Sequence, residues 1–229
     1  EIINNRIPVI AGTGSNNTKN AVEFSKRAER TGVNGLLVVT PYYNKGNENG
    51  IYEHYKAIAE AVKIPIILYN VPSRTGVNLS ISLLKKLAQI ENITALKEAS
   101  GNISYVAEVA REVPKLDIYS GNDDMVVPVL SLGGKGVISV SANIIPDINH
   151  EMVVSFLNGD IEKARELQLK YNDLVNALFL ETNPVPIKEA MNFLGYEVGN
   201  CRLPLGMMEE SNRAKLKDIL IAHEVTGWK

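Results

Sequence analysis

Pro65-Ile66-Ile67-Leu68-Tyr69-Asn70-Val71-Pro72-Ser73-Arg74-Thr75-Gly76 begins as a strand-length apolar run with no alternation and ends in a turn rich in polar groups. A strand with one wet face alternates apolar and polar residues, so a continuous apolar run marks a strand covered on both faces, as in parallel sheets. Leu36-Leu37-Val38-Val39 has the same character. Working outward, strands are expected over Ile7 to Ala11, Gly35 to Thr40, Pro65 to Val71, Ile93 to Lys97, Asp117 to Ser120 and Gly136 to Ser141.

Helical patterns lie between these runs. After Asn102, an expected N-cap, Val106, Val109, Ala110 and Val113 recur at the spacing of one helix face. Ser80 or Leu79 opens another helix with Ile81, Leu84, Leu87 and Ala88 inward. Beyond the sixth strand the pattern is helical: Asp147 to Asn158, Asp160 to Leu180, Pro186 to Leu194 and Glu209 to Val225, separated by Gly159, Pro184 and Pro204. Repeated strand–helix units define an α/β chain. An open doubly wound sheet is the competing architecture. Gly12-Thr13-Gly14-Ser15 only approaches its glycine fingerprint, and the next strand runs into Thr40-Pro41 where an acidic residue is needed. The reading is therefore the (β/α)8 TIM-barrel family with six of eight units, incomplete here. Residues 1–145 form the truncated barrel, and 146–229 form its last helix and a C-terminal helical region.

The composition fits an ordinary globular chain: 229 residues, 45% hydrophobic and 22% charged, with a formal net charge of -2. That charge gives no electrostatic case for nucleic acid or an anionic membrane, and no apolar run reaches the length of a span. Cys201 is the only cysteine, so no intrachain disulfide is possible and a cytoplasmic location is the expectation. His54, His150 and His223 share no ligand spacing, and Asp123-Asp124 shows no partners in sequence, so no metal or cofactor is expected. The chain opens Glu1-Ile2-Ile3-Asn4-Asn5-Arg6, which reads as a helix tail entering a strand, and material upstream is expected to be missing.

In a barrel the chemistry sits at the carboxyl ends of the strands. Those ends carry Gly12-Thr13-Gly14, Thr40-Pro41-Tyr42-Tyr43-Asn44, Tyr69-Asn70-Val71-Pro72, Lys97-Glu98-Ala99-Ser100, Ser120-Gly121-Asn122-Asp123-Asp124 and Ser139-Val140-Ser141-Ala142-Asn143. A buried lysine loses part of its preference for the charged form and becomes able to attack a carbonyl. A tyrosine on the neighbouring strand can pass protons, and an arginine just beyond can hold a carboxylate. Lys97, Tyr69 and Arg74 supply these three groups, which points to a Schiff-base enzyme acting on a keto acid.

Thr40-Pro41-Tyr42-Tyr43-Asn44, Tyr69 to Gly76, Leu96-Lys97-Glu98-Ala99-Ser100-Gly101-Asn102 and Gly136-Val137-Ile138-Ser139-Val140 together resemble the dihydrodipicolinate synthase family. The resemblance implies that Lys97 forms an imine with pyruvate and that Tyr69 donates the proton. It implies that Tyr43 joins the proton relay across a dimer interface, within a homo-oligomer. Arg74 would hold the carboxylate of aspartate semialdehyde, and Ile138 and Gly121 would shape the pyruvate pocket. The product would be a hydroxylated tetrahydrodipicolinate on the route to diaminopimelate and lysine. N-acetylneuraminate lyase is the related alternative, and Arg74 speaks against it; a catalytically dead barrel scaffold is the other. The family's Thr-Gly-Thr-Thr-Gly-Glu segment, part of its carboxylate cradle, has no counterpart here, so activity is expected to be impaired or lost. With Asn16 at one ligand position and Asn20 where glutamate is common, no working lysine feedback site is expected.

Overall fold

A computed structural model describes residues 2–226. Glu1 and residues 227–229, the outer ends of the two segments expected from sequence, lie outside the described residues. The chain packs as two compact units, one of residues 1–121 with 131–135 and one of 122–130 with 136–229.

In the first unit strands and helices alternate: β1 (Ile10–Gly12), α1 (Thr18–Arg30), β2 (Gly35–Val39), α2 (Glu48–Ala61), β3 (Ile66–Asn70), the single turn α3 (Pro72–Thr75), α4 (Ile81–Leu87), β4 (Ile93–Glu98), α5 (Ile103–Glu112) and β5 (Asp117–Ser120). These five strands pair in parallel and in chain order. The register puts Val38, Leu68, Leu96 and Ile118 in one row, and all four are at most 4% exposed. Each such side chain contributes about 1.5–3 kcal/mol on burial, which is why these runs show no polar positions. The next row, on the opposite face, is Val39, Tyr69, Lys97 and Tyr119, all half-buried.

The helices are held at their starts by side chains. Asn102 Oδ1 accepts from the Tyr105 backbone N–H at 3.1 Å and Ser80 Oγ from Leu83 at 3.1 Å, as their positions in the sequence predict. Each such cap is worth about 1 kcal/mol. Leu83, Leu84 and Leu87 of α4, with Val106 and Val109 of α5, form buried helix faces.

The first strand is shorter than the expected Ile7 to Ala11. Before Ile10 its backbone is occupied by Asn34, whose side chain takes the Val9 N–H and whose N–H reaches the Val9 carbonyl.

The second unit contains a 3₁₀ turn at Asp123–Met125, α6 (Val126–Ser131) except for its last residue, β6 (Gly136–Val137), α7 (Pro146–Leu157), α8 (Ile161–Lys170), α9 (Asn172–Ala177), α10 (Val185–Phe193) and α11 (Glu210–Ala222). Leu174, Leu178, Ala190 and Leu216 are fully buried at its centre. Two expectations are corrected here. The stretch Asp160 to Leu180 is two helices, α8 and α9, divided at Tyr171. The strand expected over Gly136 to Ser141 stops at Val137, because Asp123 is not without partners. Its carboxylate, 2% exposed, accepts the Val140 N–H at 2.9 Å, the Ser141 hydroxyl at 2.7 Å and the Ser139 hydroxyl. Those bonds turn the backbone into a 3₁₀ turn at Ser141–Asn143, away from strand geometry.

Candidate active site

Tyr69 and Lys97 are register partners on adjacent strands, so their side chains leave the sheet on the same face. The Lys97 Nζ lies 4.4 Å from the centre of the Tyr69 ring. Lys97 is half-buried, less sealed than a desolvated nucleophile requires on the sequence reading alone. Tyr69 is also half-buried, and burial pushes its phenol above the usual range while the charge of Arg74 pulls the other way. At neutral pH the phenol therefore carries its proton.

Gly121 follows β5 and its N–H reaches the Glu98 carbonyl at 2.7 Å. A methyl group there would stand 3.1 Å from Lys97 Cε, 3.0 Å from the Glu98 carbonyl oxygen and 2.6 Å from Ala99 Cβ. The bare glycine backbone thus leaves the lysine stem its room.

Tyr69 and Arg74 line a cavity of about 340 Å³ with Gly12, Gly14, Val39 and Tyr42. Gly14 is required by close approach, since a Cβ would meet Val39 Cγ1 and its backbone N at 2.6 Å. The Gly12-Thr13-Gly14 turn therefore forms a cavity wall. Arg74, exposed in α3, follows Pro72, which starts that turn, while Gly76 ends it at φ 71°. Only a residue without a side chain adopts that backbone readily.

Tyr43 is 88% exposed and sits at φ 72°, outside the cavity lining. Ile138 is half-buried in the second unit, just after β6. The structure thus brings together Lys97, Tyr69, Gly121 and Arg74 in the first unit.

Sequence reasoning missed Asn70, Glu98, Tyr119 and Asp123. Tyr119 is paired with Lys97 in register, so the lysine stands between two tyrosines. Asn70 and Glu98 are 0% and 3% exposed. Their signal was present: polar residues closing strands whose other positions are apolar.

Residues 1–223 match the model of the dihydrodipicolinate synthetase family. The chain belongs to this family. The 4-hydroxy-tetrahydrodipicolinate synthase of Brachyspira hyodysenteriae is 58% identical over 94% of this chain and 73% of its own length. Among solved structures, dihydrodipicolinate synthase from Aquifex aeolicus superposes with a TM-score of 0.96 at 42% identity, over 99% of this chain and 78% of its own. The chloride-inhibited synthase from Acinetobacter baumannii, complexed with pyruvate, gives 0.95 at 42%, over 98% of this chain and 77% of its own. Membership makes this chain an enzyme of the lyase class with the α/β fold of the dihydrodipicolinate synthetase family. Among the described residues no helix is long and apolar enough to cross a membrane, and no group of His, Cys, Asp and Glu is arranged to hold a metal ion.

Proposed function

We propose that this chain catalyses the condensation of pyruvate with aspartate semialdehyde through a Schiff base on Lys97, in the cytoplasm, on the route to diaminopimelate and lysine. The observation that carries the proposal is the ammonium group of Lys97 held 4.4 Å from the centre of the Tyr69 ring. The Lys97 ammonium first gives up a proton to solvent; the neutral amine attacks the keto carbon of pyruvate, and loss of water from the carbinolamine leaves an imine. Tyr69, protonated at neutral pH, donates the proton that the departing oxygen needs. The imine is an electron sink, so the pyruvyl methyl group loses a proton and becomes an enamine nucleophile. That carbon attacks the aldehyde, and cyclisation through the substrate's own amine releases Lys97 and a hydroxylated tetrahydrodipicolinate.

Arg74 holds the carboxylate of the aldehyde substrate beside the cavity it lines. Gly121 keeps space beside the lysine stem. Ile138 shapes the pyruvate pocket on the strength of its motif, Gly136 to Val140, alone. Tyr43 serves the relay of a neighbouring protomer in a homo-oligomer, a role supported by its outward exposure. All six residues fall within 1–145, the segment assigned to the barrel.

A single-turnover experiment tests the reaction. Protein loaded with pyruvate is mixed with aspartate semialdehyde or with N-acetylmannosamine, and borohydride then traps what remains on Lys97. Aspartate semialdehyde should discharge the adduct, and N-acetylmannosamine should leave it. The reverse pattern would make the chain a neuraminate-type lyase.

A further inference from the structure

One residue beyond Tyr69 and Lys97, the register pairs Asn70 with Glu98 and Glu98 with Ser120. Side chains alternate along a strand, so this row faces away from the reacting amine. All three are at most 3% exposed. Asn70 Nδ2 donates to Glu98 Oε1 at 3.0 Å and to Asn78 Oδ1 at 2.8 Å, while Asn70 Oδ1 accepts the Leu79 N–H at 3.1 Å. Glu98 Oε1 also accepts the Ser100 N–H at 2.8 Å. The backbone joins the same contact, with the Ala99 N–H on the Asn70 carbonyl at 2.9 Å. The Tyr105 hydroxyl donates to the Leu79 carbonyl at 2.6 Å and closes the far side.

We propose that Glu98 and Asn70 are positioning residues for the Schiff-base reaction, a buried clamp that sets Lys97 against Tyr69 and anchors the loop carrying Arg74. The inference rests on Lys97 being the nucleophile. Its physical basis is that each clamp residue is covalently next to a reacting one, so a shift of either strand end moves the amine or the phenol directly. Asn70 also ties down residues 78 and 79, where the loop holding Arg74 returns to the body of the unit. Burial raises the Glu98 carboxyl above the usual carboxylate range, and the Ser100 and Asn70 donors oppose that shift. A buried acceptor of this kind is expensive to leave without donors, which makes the clamp stiff. Misplacement by about an ångström costs roughly a hundredfold in rate.

The test follows the rate at which pyruvate becomes trappable by borohydride on Lys97, read by intact mass at several pyruvate concentrations. Asn70→Asp places two carboxyl groups together; it should lower the maximal rate by roughly a hundredfold with little change in half-saturating pyruvate. Asn70→Asp combined with Glu98→Gln restores one amide and one carboxylate with the polarity reversed, and should recover at least about tenfold of that loss. Glu98→Asp keeps the charge, shortens the reach and should also slow the reaction, which provides a second reading should Asn70→Asp not fold. Circular dichroism establishes folding in each case. Folded single variants within about threefold of the parent rate overturn the proposal, as does a folded double variant no faster than Asn70→Asp. Unfolding of both single variants would assign the pair to stability alone and overturn it too. A parent chain that traps no pyruvate on Lys97 removes the proposed function together with the clamp, whereas a reactive parent with unaffected variants removes the clamp only.

Discussion

Tyr69 is placed so that its ring, rather than only its hydroxyl, faces the Lys97 ammonium, and the two residues constrain each other. A cation near an aromatic face is stabilised by about 0.5–2 kcal/mol, so under the proposed function the ring holds the amine in place ahead of the keto acid. Tyr69→Phe keeps that contact and deletes the proton. It should lower the rate of imine formation by about 10²–10⁴, with an unchanged melting midpoint, in stopped-flow trapping. Gly121→Ala tests the space on the other side. A methyl group there cannot be accommodated without moving Ala99, the Glu98 carbonyl or the lysine stem. Imine formation should slow by roughly a hundredfold, measured by the same trapping rate, and a variant as fast as the parent would show that the glycine is incidental. Lys97 and Tyr69 were legible as candidates because they lie near the ends of apolar strand runs, and Arg74 because it stands in the turn just beyond β3. Asn70 and Glu98 were not, because a lone buried asparagine or glutamate declares itself only once register shows what it touches.

Among the elements, β3 and β4 were read almost to the residue, since apolar runs of that length bounded by polar turns leave little freedom. The last strand was overestimated for a reason no periodicity carries. Val140 and the two serines are apolar or neutral residues that suit a strand, and it is a carboxylate distant in sequence, Asp123, that bends them. Helix α2 holds another group hidden from pattern reading. His54 is 3% exposed; its Nδ1 meets the Thr18 hydroxyl at 2.9 Å, and its Nε2 has no hydrogen-bond partner among the described residues. Burial lowers its pKa from 6.5 to about 4. Between those values the unfolded chain binds a proton that the folded chain refuses, so stability falls as pH drops through that window. Above pH 6.5 the histidine is neutral in both states and the effect vanishes. Melting midpoints recorded from pH 7 to 4 should decline less steeply in His54→Gln than in the parent; parallel curves would place the acid sensitivity elsewhere.

At the scale of the molecule, β1 stands at an edge of its sheet; its Ile10 is 48% exposed, and Ile7 and Val9 before it are 59% and 36% exposed. Tyr42 and Tyr43 add 40% and 88% exposed aromatic surface in the same unit. If Tyr43 serves a neighbouring protomer as proposed, light scattering at micromolar concentration should give an oligomer, and a stable monomer would rule that role out. The alternation of strand and helix made this level legible from sequence, because six parallel-type runs separated by helices admit few architectures. Assembly was an expectation of the family resemblance only; the outward exposure of Tyr43 is a property of the folded loop, not of its composition.

A covalent imine between the Lys97 amine and a keto acid, as proposed, can be trapped and located on the chain. The protein is incubated with pyruvate, reduced with borohydride, digested and mapped by mass spectrometry. A single reduced pyruvyl adduct should appear on Lys97, and it should vanish both in Lys97→Ala and when pyruvate is omitted. An unmodified Lys97 peptide after reduction, or an adduct scattered over surface lysines, would rule out Lys97 as the nucleophile.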